Sequence, residues 1–189
     1  KPNLLSDHVS EEAVTTHPIL VREVARMVRE AGGQPAIGDS PANVADLERV
    51  WAKTGFAALC REEQIPLLNL EKEGSQTLER GGVRFSVARS VIEADLIVNV
   101  PKVKTHILTL LTGAVKNMYG TVPGFQKTYL HKSYPTPAQF GKAVAAVYAA
   151  AKPALSLADA VVGMHGDGPS SGEPVALGFL AASADGVAL

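Results

Sequence analysis

The sequence holds a single cysteine, Cys60. One thiol cannot close an intramolecular disulfide, and it cannot alone hold an iron–sulfur cluster, which takes about four thiolates. Cys60 sits inside a helical pattern and reads as a core thiol. Charge of either sign is not in excess: the formal net charge is −1. That balance gives no electrostatic reason to expect nucleic acid or an anionic membrane as partner. Long apolar runs are missing too, none approaching the roughly 20 residues needed to cross a bilayer. No signal peptide is visible, and the chain begins at Lys1 rather than methionine, which reads as a fragment or processed form of a cytoplasmic protein. Internal repeats and low-complexity segments are absent.

Several catalytic signatures are also lacking. Gly163, Gly166 and Gly168 follow a strand pattern, but Pro169 and Ser170-Ser171-Gly172 come next where a dinucleotide fingerprint needs a helix. No P-loop occurs, and no serine or cysteine has the setting of a nucleophile elbow.

What is present fits one domain spanning 1–189, with 46% apolar and 20% charged residues. Apolar residues at helical spacing (Ile19, Val21, Val24, Ala25, Val28) predict a helix over Pro18–Ala31, stopped by Gly32-Gly33. A short strand at Pro35–Gly38 leads into the turn Asp39-Ser40-Pro41. A helix over roughly Val44–Glu63 and a strand at Pro66–Leu70 follow. Gly81-Gly82 marks a hairpin within Gly74–Val87, with a short helix at Ala88–Ala94.

The nearly continuous apolar run Asp95–Val100 suits a central strand covered on both faces. Beyond it the pattern predicts a helix at Leu108–Tyr119, a long loop over Gly120–Pro137, and an Ala-rich helix at Ala138–Lys152. Leu155–Val162 is a further strand, Gly163–Pro174 a loop, and Val175–Ala182 the last strand. Alternating strands and helices predict an α/β fold: a mostly parallel sheet with helices on both faces, in Rossmann-like layers, truncated at both ends.

Ligands of such sheets bind at the carboxyl ends of strands, so the polar residues that follow each strand are the site candidates. They include Asp39, the segment Lys102–His106, Asp159 with the loop that leads to His165, and Asp185. In an extended segment residues two apart share a face, so Lys102, Lys104 and His106 point the same way. Crowding three such groups is costly unless an anion or carboxylates receive them. Lys116 and Asn117 lie close by on the next helix. His106, His131 and His165 stand on three loops that could converge, which makes them candidates for a transition-metal site.

These residues resemble a known family. Lys1-Pro2-Asn3, Thr16-His17-Pro18, Gly38-Asp39-Ser40-Pro41 and Pro101-Lys102-Val103-Lys104-Thr105-His106 stand in the order seen in the domain of unknown function 362 family. So do Thr112-Gly113-Ala114-Val115-Lys116-Asn117, His131, Asp159-Ala160-Val161-Val162-Gly163 and Ser183-Ala184-Asp185. Some relatives carry a ferredoxin-like module with iron–sulfur clusters, so the resemblance implies a ferredoxin-like partner or module here, since this chain lacks the thiolates. A remoter similarity to the nickel-pincer lactate racemase family aligns Lys104, His106, Lys116 and His131 with a strand-end Lys-x-His stretch, a helix lysine and a later histidine.

The expectation is an enzyme domain for a small anionic substrate or cofactor. Lys102, Lys104 and Lys116 hold the anion, while Thr105 and Asn117 orient it. His106 or His131 transfers a proton, and Asp39 and Asp159 balance charge. The alternative is a non-catalytic redox or cofactor-carrying module beside an iron–sulfur partner.

Overall fold

The computed structural model of the chain describes residues 1–41 and 46–189. Helix α1 (Pro18–Glu30) begins where expected: Pro18 occupies its first turn and the His17 ring accepts from the Ile19 N–H at 3.3 Å. Its buried face carries Val21 and Ala25. Strand β1 (Ile37–Asp39) pairs in parallel with β2 (Leu67–Asn69).

The crossover between β1 and β2 is two helices rather than the one expected, α2 (Leu47–Lys53) and α3 (Phe56–Glu62). Gly55 takes φ 81° at the junction, a left-handed conformation that a continuous helix cannot include. The expected start at Val44 lies outside the described residues. Asp46 caps α2 by accepting from Glu48 and Arg49 backbone N–H groups. Leu4, Val21, Ile37, Val50, Trp51, Phe56 and Cys60 share one apolar cluster, so the lone thiol is a core group.

The hairpin is β3 (Ser75–Arg80) with β4 (Val83–Ala88), turning at Gly81-Gly82, both at positive φ. A short helix, α4 (Arg89–Glu93), follows. Within the run Asp95–Val100 the strand proper is β5 (Val98–Asn99), and Leu96 is 61% exposed, so it is not covered on both faces throughout. The chain nonetheless stays extended past Pro101 into β6 (Lys102–His106). Strands β5 and β6 meet β8 (Leu155–His165) in parallel, one after the other, and the Asp159 N–H donates to Pro101 O at 2.8 Å between them. Lys1 and Pro2 run alongside β5: the Lys1 nitrogen donates to Val98 O, and Val100 N–H donates to Lys1 O, both at 2.8 Å.

Three further expectations change. The first half of Leu108–Tyr119 is strand β7 (Leu110–Thr112), antiparallel to β6, and only α5 (Ala114–Asn117) and a 3₁₀ turn (Met118–Thr121) are helical. The His106 ring takes the Leu108 and Thr109 N–H groups and Leu110 adopts φ 62°, which turns the chain back on itself. The loop expected over Gly120–Pro137 contains helix α6 (Gln126–Ser133). The loop expected over Gly163–Pro174 is shortened because β8 runs on to His165 and β9 (Glu173–Ser183) returns antiparallel to it.

Helix α7 (Pro137–Ala151) is capped by Thr136, with Gln139 completing the capping box. Its Phe140, Val144 and Val147 pack with Val83, Phe85, Val87, Tyr119 and Leu130 in a second cluster. The α/β class stands. The crossovers give the parallel pairs β1–β2, β5–β8 and β6–β8, and the hairpins add antiparallel ones.

Candidate functional site

The carboxyl ends of β1 and β6 deliver Asp39, Ser40 and His106 to one small cavity of about 220 Å³. The end of α5 and the 3₁₀ turn after it add Lys116, Asn117 and Tyr119, and α6 adds Lys127 and His131. Lys1 and Asn3 close it from the amino-terminal segment. A larger cleft of about 520 Å³ lies against α1 and β1, lined mostly by apolar groups such as Val21, Val24, Val28 and Leu70. The smaller one is lined by Lys1, Asp39, His106, Lys116, Lys127 and His131.

Most of its polar groups are already committed. The Asp39 carboxylate accepts from Lys1 Nζ at 2.8 Å, from Leu4 N–H at 2.6 Å and from Ser40 N–H at 2.8 Å. Gly120 packs directly on this pair: a Cβ there would collide with Asp39 Oδ1 and Lys1 Nζ. Lys127 Nζ donates to Ser40 O, Ser40 Oγ and Pro41 O, and the Ser40 hydroxyl donates to Glu71 Oε1 at 2.8 Å. Three acceptors use the three protons of an ammonium, so Lys127 pins the loop after β1 onto α6.

The Asn117 amide N–H₂ donates to Asn99 Oδ1 at 2.8 Å and to the Lys1 and Pro2 carbonyls, while its Oδ1 accepts from Asn3. Its hydrogen bonds run into the protein, which fixes the amino-terminal segment against α5. Tyr119 spends its hydroxyl on Lys127 O at 2.8 Å.

Lys116 differs. Among the described residues its ammonium has no hydrogen-bond or carboxylate partner; it lies 5.0 Å from the centre of the Tyr119 ring. Burial, with the charge of Lys1 adding and that of Asp39 opposing, lowers its pKa to about 8.

Two imidazoles face the same space. His106 Nδ1 accepts from Leu108 N–H at 3.1 Å and from Thr109 N–H at 3.4 Å. A nitrogen that accepts carries no proton, so this network assigns the proton to Nε2. Burial, then the charges of Lys116 and Lys104, push the His106 pKa down to about 4, so the ring is neutral. His131 stacks on Phe140 at 4.2 Å and meets Tyr119 edge-on at 5.6 Å. Burial, with Lys116 adding, lowers its pKa as well.

Other expected site residues stand elsewhere. Lys102 is 1% exposed and pairs with Asp159 at 3.0 Å, and Asp159 also accepts from His17 N–H at 2.8 Å. Lys104, also 1% exposed, donates to Val14 O at 2.5 Å, and burial followed by the Lys116 charge lowers its pKa to about 7. Thr105 Oγ1 donates to Gly166 O at 2.9 Å. None of these four lines the cavity. The expected convergence of three histidines is likewise corrected: His165 is exposed at the end of β8, 3.7 Å from Glu173, and only His106 and His131 meet. Among the described residues, no group of three or more His, Cys, Asp or Glu is arranged to hold a metal ion.

Lys127 escaped the sequence reading as a site residue. Lys127 and His131 are four apart, a spacing that puts both on one face of a helix, but only once α6 is recognised.

The fold is an α/β domain with a cationic cavity at the carboxyl ends of parallel strands, where open α/β sheets in general bind their ligands. More narrowly, the chain belongs to the family described as Domain of unknown function (DUF362), which it matches over residues 1–189. It is 34% identical to the thylakoid-associated protein sll1697 of Synechocystis sp., across the whole of this chain and 59% of that one. The chain thus spans about three-fifths of that relative's length. In fold it is similar to the lactate racemase apoprotein from Thermoanaerobacterium thermosaccharolyticum, with a TM-score of 0.57 at 16% identity over 96% of this chain and 45% of that one. Among the described residues no helix is long and apolar enough to cross a membrane.

Proposed function

We propose that this is an enzyme domain that binds a small anionic substrate or cofactor in the cavity between β1, β6 and α6. Lys116 receives the anion and His131 exchanges a proton with it. The observation that carries the reading is the Lys116 ammonium, which lines the cavity with no carboxylate or hydrogen-bond acceptor beside it among the described residues. Lys116 is half-buried, and a charge partly withdrawn from water is costly unless something compensates it; a bound anion supplies that compensation. His131 is held by ring stacking, has a depressed pKa, and is therefore available as a neutral base. Cytoplasmic residence is part of the same reading, tested by fractionating cells that produce the protein.

The test is isothermal titration with small carboxylates and inorganic phosphate, on the wild type and on Lys116→Met. Binding to the wild type that disappears in the variant, with the ligand-free melting temperature unchanged or raised, is the expected result. A wild type that binds none of them, or a variant destabilised as by a core defect, would sink the proposal.

A further inference from the structure

Of the three lysines that line the cavity, Lys1, Lys116 and Lys127, two are matched by an acid. Lys1 is matched by Asp39 at 2.8 Å. The Lys127 ammonium is matched through Ser40, whose hydroxyl reaches Glu71. Behind the cavity, Lys102 is matched by Asp159 at 3.0 Å, and Lys104 is bound to a carbonyl. Lys116 alone among the cavity's cations is left over among the described residues, so the site has room for one negative charge. A phosphate dianion would bring a second charge that no further cation lining the cavity neutralises.

The two imidazoles define the rest of the ligand. With Nδ1 occupied by the Leu108 and Thr109 N–H groups, His106 can offer only its Nε2–H, a donor that needs an acceptor atom. Those two bonds come from backbone of the turn into β7, so the ring's tautomer is fixed by the fold rather than by the ligand. The volume of about 220 Å³ equals that of about seven waters and opens to solvent, so it sizes the end of a guest that enters it, which is small.

We infer that the ligand is a small monocarboxylate that also bears a neutral acceptor oxygen, the carboxylate at Lys116 and the oxygen at His106 Nε2. This rests on the anion-site reading and narrows it: His106 is a specificity-determining donor, and phosphate is disfavoured.

The experiment compares four probes by titration calorimetry at neutral pH: butyrate, 2-oxobutyrate, 3-oxobutyrate and inorganic phosphate. One or both oxo acids should bind about three- to tenfold more tightly than butyrate, as one added hydrogen bond warrants, and phosphate should be the weakest. In His106→Asn, whose side-chain oxygen can still accept from the two backbone N–H groups, the preference for the oxo acids over butyrate should vanish. Nitrogen-15 NMR of the wild type should show His106 protonated on Nε2.

Three results would overturn the inference yet leave the anion site standing, provided binding still depends on Lys116. These are phosphate binding most tightly, equal affinity for butyrate and both oxo acids, or His106 protonated on Nδ1. Failure of all four probes to bind would overturn both readings.

Discussion

The Lys102 ammonium lies 3.0 Å from the Asp159 carboxylate, across the parallel pair β6–β8, with each side chain 2% exposed. Asp159 serves two other donors from the same position, His17 N–H at 2.8 Å and Val161 N–H at 3.4 Å. This pair is therefore part of the packing between strands, behind the cavity rather than in it. Replacing one partner, in Lys102→Met or Asp159→Asn, strands a charge or a set of donors in the interior. Each should cost about 3–5 kcal/mol in urea denaturation, and Lys102→Met combined with Asp159→Leu should recover part of that loss. Single replacements costing less than about 1 kcal/mol would show that water reaches the pair.

Gly120 is tied to a second ion pair. With a Cβ at this position, Lys1 and Asp39 must shift, because it would collide with Asp39 Oδ1 and with Lys1 Nζ and Cε. Gly120→Ala should destabilise the protein by about 1–3 kcal/mol, the usual cost of overpacking. It should also weaken anion binding, since Lys1 and Asp39 form a wall of the cavity. Unchanged melting and binding would mean the wall yields freely.

Lys127 is a clamp that its own hydrogen bonds define. Lys127→Met leaves the Ser40 and Pro41 carbonyls without their donor. A loss of about 1–3 kcal/mol is expected, with faster amide exchange at Ser40, whose N–H otherwise bonds Gly120 O at 3.0 Å. Exchange rates equal to the wild type would argue against the clamp.

The lysines make stability depend on pH with a definite sign. Burial lowers Lys104 to about 7 and Lys116 and Lys127 to about 8, from an ordinary 10.5. Between about pH 7 and 10.5 the unfolded chain binds more protons than the folded one, so these groups make stability rise with pH. Anion affinity runs the other way. Above about pH 8 Lys116 loses its charge, and affinity should fall by about tenfold per pH unit. Below pH 7 His106 adds no dependence until near its pKa of about 4. Melting curves with and without ligand at pH 6.5, 8 and 9.5 check both trends; affinity that holds constant to pH 9.5 would exclude Lys116 as the anchor.

Much of the fold was legible locally. The 3.6-residue spacing of Val21, Val24, Ala25 and Val28 and the Pro18 start set α1, and Gly81-Gly82 set the β3–β4 turn, because periodicity and turn chemistry act over a few residues. Three segments were not legible. Leu108–Thr112 has helical spacing, yet the His106 ring captures the N–H groups that would begin the helix. Helix α6 is polar and short, with little periodicity to read; it is held by Leu130 in the second core and by Lys127 at the site. Gly163–His165 looks like a loop by composition but is paired on both sides, to β6 and β9.

The sequence by itself determined the α/β class, the family, and the extended segment that sets Lys102, Lys104 and His106 two apart. It also placed Asp39 at the end of β1 and His106 at the end of β6. What only the tertiary structure decided is which of those charges are open. Lys102 and Lys104 share His106's strand, but each meets an acceptor from a distant segment, Asp159 and Val14, that no spacing along the chain reveals. Lys116 meets none among the described residues. Whether a buried charge holds the fold or awaits a ligand depends on its three-dimensional neighbours, and those are fixed only when the strands, α5 and α6 close around the cavity.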